Sequence, residues 1–127
     1  LVAKVTDFGM AREVALDDAS RTNTAVGPIR WMSPEWMRSN AVSSRVDVYA
    51  YGCVLYECFA RKMPWPELSV HAVSHAVLGG SVLTAPPEMP ATIVPVFDAC
   101  VAHDPDKRPR MSAVVRRLAA AAAARSA

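Results

Sequence analysis

The stretch SSRVDVYAYGCVLYECFARK, residues 43 to 62, constrains the fold more than any other part of this 127-residue chain. Val46, Val48, Tyr49, Tyr51, Val54, Leu55, Tyr56 and Phe59 point in nearly every direction around a helix, so no single stripe faces a core. Such a helix is expected to be buried all round, in the middle of a helical assembly. Ser43 or Ser44 caps it, and Asp47 lies near its positive end. Gly52 costs about 1 kcal/mol of helix propensity against alanine, which points to close packing at that position.

The other elements are arranged around it. Val2 and Val5 suggest a short strand over residues 1 to 6, and residues 13 to 30 have the composition of a long loop. Connections beyond about 15 residues are rare in compact domains unless they serve a function. Pro34 suits an early helix position, with Ser33 as N-cap and Glu35 in the first turn. After the extended turn MPWPE, residues 69 to 78 form a helix ended by Gly79 and Gly80. The link TAPPEMP leads to helices over 92 to 102 and 111 to 125. The latter starts at or near Ser112 and runs out along an alanine tract. There is no internal repeat.

Apolar residues make up 52% of the chain and charged residues 20%, a globular balance, and the net charge of +2 points to no nucleic-acid partner. A membrane-spanning helix needs roughly 18 apolar residues, and Asp47, Glu57 and Arg61 interrupt the best candidate. The first residues also lack the pattern of a secretory signal, so an intracellular, cytoplasmic location is expected. Cys53, Cys58 and Cys100 have neither disulfide-framework numbers nor CxxC spacing and read as buried free thiols. His71 and His75 share a helix face, but no third ligand accompanies them, and a solvated face is expected.

Four stretches in order carry a family resemblance: DFG at 7 to 9, SPE at 33 to 35, DVYAYG at 47 to 52 and DPDKRP at 104 to 109. Together they resemble the C-terminal half of a protein kinase domain, over residues 2 to 118. The resemblance implies a mainly α, partial kinase-like fold, a helical lobe with a short β segment around DFG. Residues 1 to 118 would be the partial domain and 119 to 127 an alanine-rich tail. It also implies ATP and Mg2+ as cofactors of the complete domain, with Asp7 as the metal ligand. Phosphoryl transfer needs a hard cation bridging the nucleotide phosphates, and a carboxylate holds it there. Phe8 would pack inward and set the direction of Asp7, and Gly9 would allow the backbone torsion of that switch.

Residues 10 to 32 correspond to the activation and substrate-docking segment. Ser20, Thr22 and Thr24 are its candidate phosphorylation sites, with Arg12, Arg21 and Arg30 as local partners for a phosphate. Gly27, Pro28, Ile29, Arg30 and Trp31 would dock a protein substrate. Pro28, Arg30 and Trp31-Met32 resemble the tyrosine kinase and tyrosine-kinase-like groups, although no tyrosine occurs between Asp7 and Glu35. The expected activity is therefore directed at serine, threonine or tyrosine hydroxyls. Glu35 and Arg108 match the family's buried ion pair, with Ser33 in place of the usual alanine before Pro34. Asp47 resembles the residue that hydrogen-bonds the backbone of the catalytic loop.

No glycine-rich phosphate loop, VAIK-type lysine or HRDxxxxN catalytic loop occurs in these residues. The HD pair at His103 and Asp104 follows DFG and lies in the DPDKRP turn, so it is rejected as a catalytic base. Three readings stay open: a fragment of a longer kinase, which could be membrane-anchored; a non-catalytic binding module; or a degenerate remnant. The first makes the missing N-terminal half the principal partner. On its own the chain is then expected to be inactive, to expose an apolar patch and to self-associate.

Overall fold

A computed structural model describes residues 1–8, 20–21 and 28–126. Among these, a two-residue strand β1 (Ser20–Arg21) is followed by a 3-10 turn at Ile29–Trp31. Next come α1 (Pro34–Ser39), β2 (Ala41–Val42) and α2 (Ser44–Ala60). Helices α3 (Val70–Leu78), α4 (Val94–Cys100) and α5 (Met111–Ser126) complete the order, with a 3-10 turn at Pro105–Lys107 before α5. β1 and β2 pair antiparallel, Ser20 opposite Val42 and Arg21 opposite Ala41.

The predominantly helical lobe agrees with the sequence expectation, and the local chemistry explains the helix starts. Ser43 accepts a hydrogen bond from the Arg45 N–H at the head of α2, and Ser69 accepts one from Ala72 at the head of α3. α4 begins at Val94 rather than at 92, because Pro95 has no N–H to give and fits only the first turn. α5 continues without a break through the alanine tract.

The core is a layer of apolar side chains gathered around α2. Tyr49, Cys53, Leu55 and Tyr56 from α2 meet Val73 and Val77 of α3, Phe97 of α4 and Val101 after it. A second group, Val48, Val96, Cys100 and Val114, joins α2 to α4 and α5, and Tyr51 and Leu118 touch both groups. Gly52 lies where α2 packs against the end of α4. A Cβ there would come 2.5 Å from Val101 Cγ1 and 3.0 Å from Cys100 Cβ, so the expected close packing is present.

Three expectations are corrected. α2 is not buried all round: Asp47, Val54 and Cys58 are exposed and Tyr51 half-buried. Their spacing of four, three and four residues places them on one face. Cys58 is thus an exposed thiol, while burial pushes the Cys53 thiol up to about 12 and that of Cys100 up to about 11. Finally, no strand forms over residues 1 to 6, so the β segment expected around DFG is absent among the described residues. A strand exists only as part of a ladder, and no described residue pairs with this one. Val2, Val5, Phe8 and Val54 leave apolar surface in water.

Candidate functional site

The best-built site joins α1 to the turn before α5. Arg108 is 1% exposed, and its guanidinium uses all five of its N–H donors. Nη1 donates to Glu35 Oε1 at 2.6 Å and Nη2 to Glu35 Oε2 at 2.9 Å, a bidentate pair. The others reach the carbonyls of Ala102 at 2.7 Å, His103 at 3.1 Å and Arg45 at 3.1 Å. The guanidinium lies 5.0 Å from the centre of the Tyr49 ring, within cation–π range. Arg45 donates in turn to the Arg108 carbonyl. The ion pair expected for Glu35 and Arg108 is therefore formed, and it binds α1, the head of α2 and the 102–108 turn to one another.

Burial works against the Glu35 charge, but the hydrogen bonds and charge of Arg108 outweigh it and hold the carboxyl below its ordinary value of 4.5. A carboxyl with a depressed folded pKa gives stability that is complete above its unfolded pKa and lost as pH falls through the folded one. The urea midpoint of the chain should accordingly fall as pH drops below about 4.5, and Glu35→Gln should flatten that fall. Midpoints measured from about pH 6 to about pH 3 check this. Equal slopes in the two proteins would contradict the assignment.

The docking segment is fastened at two further points. Arg30 donates from Nη1 to the carbonyls of Pro64 at 3.1 Å and Trp65 at 2.6 Å, and from Nη2 to that of Leu68 at 2.7 Å. Its guanidinium thus holds the 64–68 turn against residues 29–31, and those carbonyls are already its partners in place of a phosphate. Trp31 Nε1 donates to Glu57 Oε2 at 2.9 Å. Pro28 is exposed, and Ile29, Arg30 and Trp31 are half-buried.

The remaining site residues are less connected. Asp7 is exposed, with φ at 64°, in the left-handed region that aspartate tolerates better than most residues. Phe8 is 67% exposed, so the inward packing expected of it is not found. Asp47 is exposed on α2, yet neighbouring protein withdraws enough water to raise its pKa. The backbone of Ser20 lies in β1. Gly9, Thr22, Thr24 and Gly27 lie outside the described residues, as does Arg12. Ser33, expected to cap α1, makes no side-chain capping bond.

Among the described residues no group of three or more His, Cys, Asp or Glu side chains can hold a metal ion. Asp7 brings a single exposed carboxylate to its position. The pairing of Trp31 with Glu57 and the Arg30 clamp were missed in the sequence. The one available signal is Glu57 itself, a carboxylate set among apolar residues in the second half of α2.

This order of motifs and this ion pair define a protein kinase lobe, and comparison with known proteins agrees. The family described as protein tyrosine and serine/threonine kinase matches residues 1–118, and the chain belongs to it. It is 33% identical to the megakaryocyte-associated tyrosine-protein kinase of Rattus norvegicus, over 93% of this chain and 25% of that protein. Tyrosine-protein kinase Btk of Drosophila melanogaster is 35% identical, over 93% of this chain and 15% of the relative. The high affinity nerve growth factor receptor of Rattus norvegicus is also 35% identical, over 98% and 16%. The chain therefore spans a quarter or less of these relatives' lengths. No helix among the described residues is long and apolar enough to cross a membrane.

Proposed function

We propose that residues 1 to 118 are the C-terminal part of an intracellular protein kinase domain whose complete form transfers the terminal phosphoryl group of ATP to a protein hydroxyl. Residues 119 to 127 are its alanine-rich tail. The observation that carries this reading is the anchoring of the segment before and within α1. Arg30, Trp31 and Glu35 are each tied to a different part of the lobe, through residues 64 to 68, Glu57 and Arg108. A surface on which a peptide is presented for chemistry must hold its geometry, because small misplacements cost rate heavily.

In this reading Asp7 supplies a carboxylate to magnesium, which neutralises charge on the phosphates when bound. Pro28, Ile29, Arg30 and Trp31, with Gly27, form the bed for the substrate. Ser20, Thr22 or Thr24 takes the regulatory phosphate. The sequence around Trp31 favours a tyrosine-kinase-like enzyme acting on serine or threonine, with tyrosine as the other acceptor. Asp47, Tyr51, Val54 and Cys58 form the face of α2 on which the N-terminal half of the domain would lie. The competing reading is a non-catalytic lobe that docks other proteins, and the exposure of Phe8 beside Asp7 favours it.

Labelled ATP separates them. The chain of residues 1 to 127 should incorporate no phosphate into itself or a mixed peptide library. Joined in frame to the N-terminal half encoded by its native messenger, it should do so, and Asp7→Asn should remove at least about 100-fold of the rate. No transfer by the joined protein, or transfer unaffected by Asp7→Asn, would overturn the proposal.

A further inference from the structure

A groove of about 440 Å³ lies between the end of α2, the turn after it and the proline-rich link before α4. Tyr56 and Trp65 give it aromatic walls, Pro87 adds a rigid apolar edge, and Glu67 and Glu88 line it with carboxylates against the one ammonium of Lys62. The kinase reading leaves this surface unused.

The groove is built before anything enters it. Tyr56 and Trp65 are both more than nine-tenths buried, so their rings have little freedom. The Trp65 carbonyl accepts from Arg30 at 2.6 Å and from the Leu68 N–H at 3.1 Å, which fixes the backbone that carries the indole. Preformed walls of this kind spare a ligand the cost of ordering them.

Its chemistry selects one class of occupant. Aromatic and proline walls suit a polyproline II segment, whose shape exists before binding and loses little entropy on docking. The two carboxylates outnumber the single lysine on a chain whose net charge is +2, so the groove is a local negative site on a positive protein. Burial, then the fields of Glu67 and Glu88, raise the Tyr56 phenol above its ordinary pKa, and all three residues line the same groove. Carboxylates beside an aromatic face favour a guanidinium over an ammonium, because it is planar, weakly hydrated and able to stack while donating in parallel.

We propose that this groove binds an extended, proline-rich segment of a partner protein bearing one arginine, whose guanidinium meets Glu67 and Glu88. This site acts by docking and does not depend on phosphoryl transfer by the chain.

The test uses the 127-residue chain and a fluorescein-labelled nonapeptide of prolines with a single central arginine, read by anisotropy. Saturable binding is expected. The double variant Glu67→Gln with Glu88→Gln should weaken it by about ten-fold, the effect of two partly exposed ion pairs. Both carboxylates are exposed, and an unchanged circular dichroism spectrum would confirm that the variant folds. The same peptide with a central glutamate should not bind, and a glycine–serine peptide keeping the arginine should bind at least about ten-fold more weakly. Absence of saturable binding, indifference to the double variant, or equal binding by either control peptide would overturn the proposal.

Discussion

Arg108→Met should lower the stability of the chain by about 3–5 kcal/mol, a large share of the roughly 5–15 kcal/mol available to a folded domain. The cost does not measure the strength of one ion pair. It arises because the change leaves the half-buried Glu35 carboxylate without its counter-charge, and orphans the carbonyls of Ala102, His103 and Arg45 as acceptors for that guanidinium. Glu35→Gln keeps one accepting oxygen for Arg108 but leaves that buried guanidinium without its counter-charge, so it too should be clearly destabilising. Replacing both Glu35 and Arg108 by methionine should cost less than the sum of the two single changes, because a paired apolar replacement leaves no buried charge. Urea unfolding at neutral pH of the original chain, Arg108→Met, Glu35→Met and the double methionine variant gives the cycle. A change of less than about 0.5 kcal/mol in Arg108→Met, within the range of an ordinary surface substitution, would contradict this account.

The second large effect is expected at Gly52, where two physical terms oppose each other. Alanine in place of glycine should gain about 1 kcal/mol of helix propensity in the middle of α2. Its Cβ would, however, stand 2.5 Å from Val101 Cγ1, closer than real side chains come, and a tight 3.0 Å from Cys100 Cβ. Val101 is β-branched and 1% exposed, and Cys100 is fully buried, so neither has room to turn aside. Overpacking costs about 1–3 kcal/mol and should win, with Gly52→Val worse than Gly52→Ala. Adding Val101→Ala to Gly52→Ala should recover part of the loss by removing the methyl group that is struck. A Gly52→Ala protein more stable than the original would show that propensity prevails and that α2 and α4 separate easily.

The helices were legible in the sequence because their signals are local. Serines that accept from the backbone two or three residues ahead, a proline restricted to a first turn and the glycines after α3 each act within one helical turn. The pairing of Glu35 with Arg108, 73 residues away, follows only from the family resemblance that the four motifs carry. What could not be read depends on partners distant in sequence. The Arg30 guanidinium finds carbonyls 34 to 38 residues ahead, and Trp31 finds Glu57 26 residues ahead. No periodicity encodes such pairings.

The apolar pattern of α2 predicts burial on every side, and Asp47, Tyr51, Val54 and Cys58 show the limit of that inference. Periodicity reports which residues avoid water and does not say which neighbour covers them. The first six residues fail as a strand for a related reason. Residues 1, 3 and 5 could give a strand one apolar face, but only a second strand supplies the hydrogen bonds that complete it.

The account as a whole rests on the chain being part of a longer kinase, and the most direct test is the native messenger read upstream of the codon for Leu1. The expected result is an open frame encoding a glycine-rich loop, a strand lysine and an HRDxxxxN catalytic loop, the elements that would complete the phosphate and substrate sites. A stop codon just ahead of an initiating methionine would contradict it, and would leave a lobe whose chemistry is confined to docking.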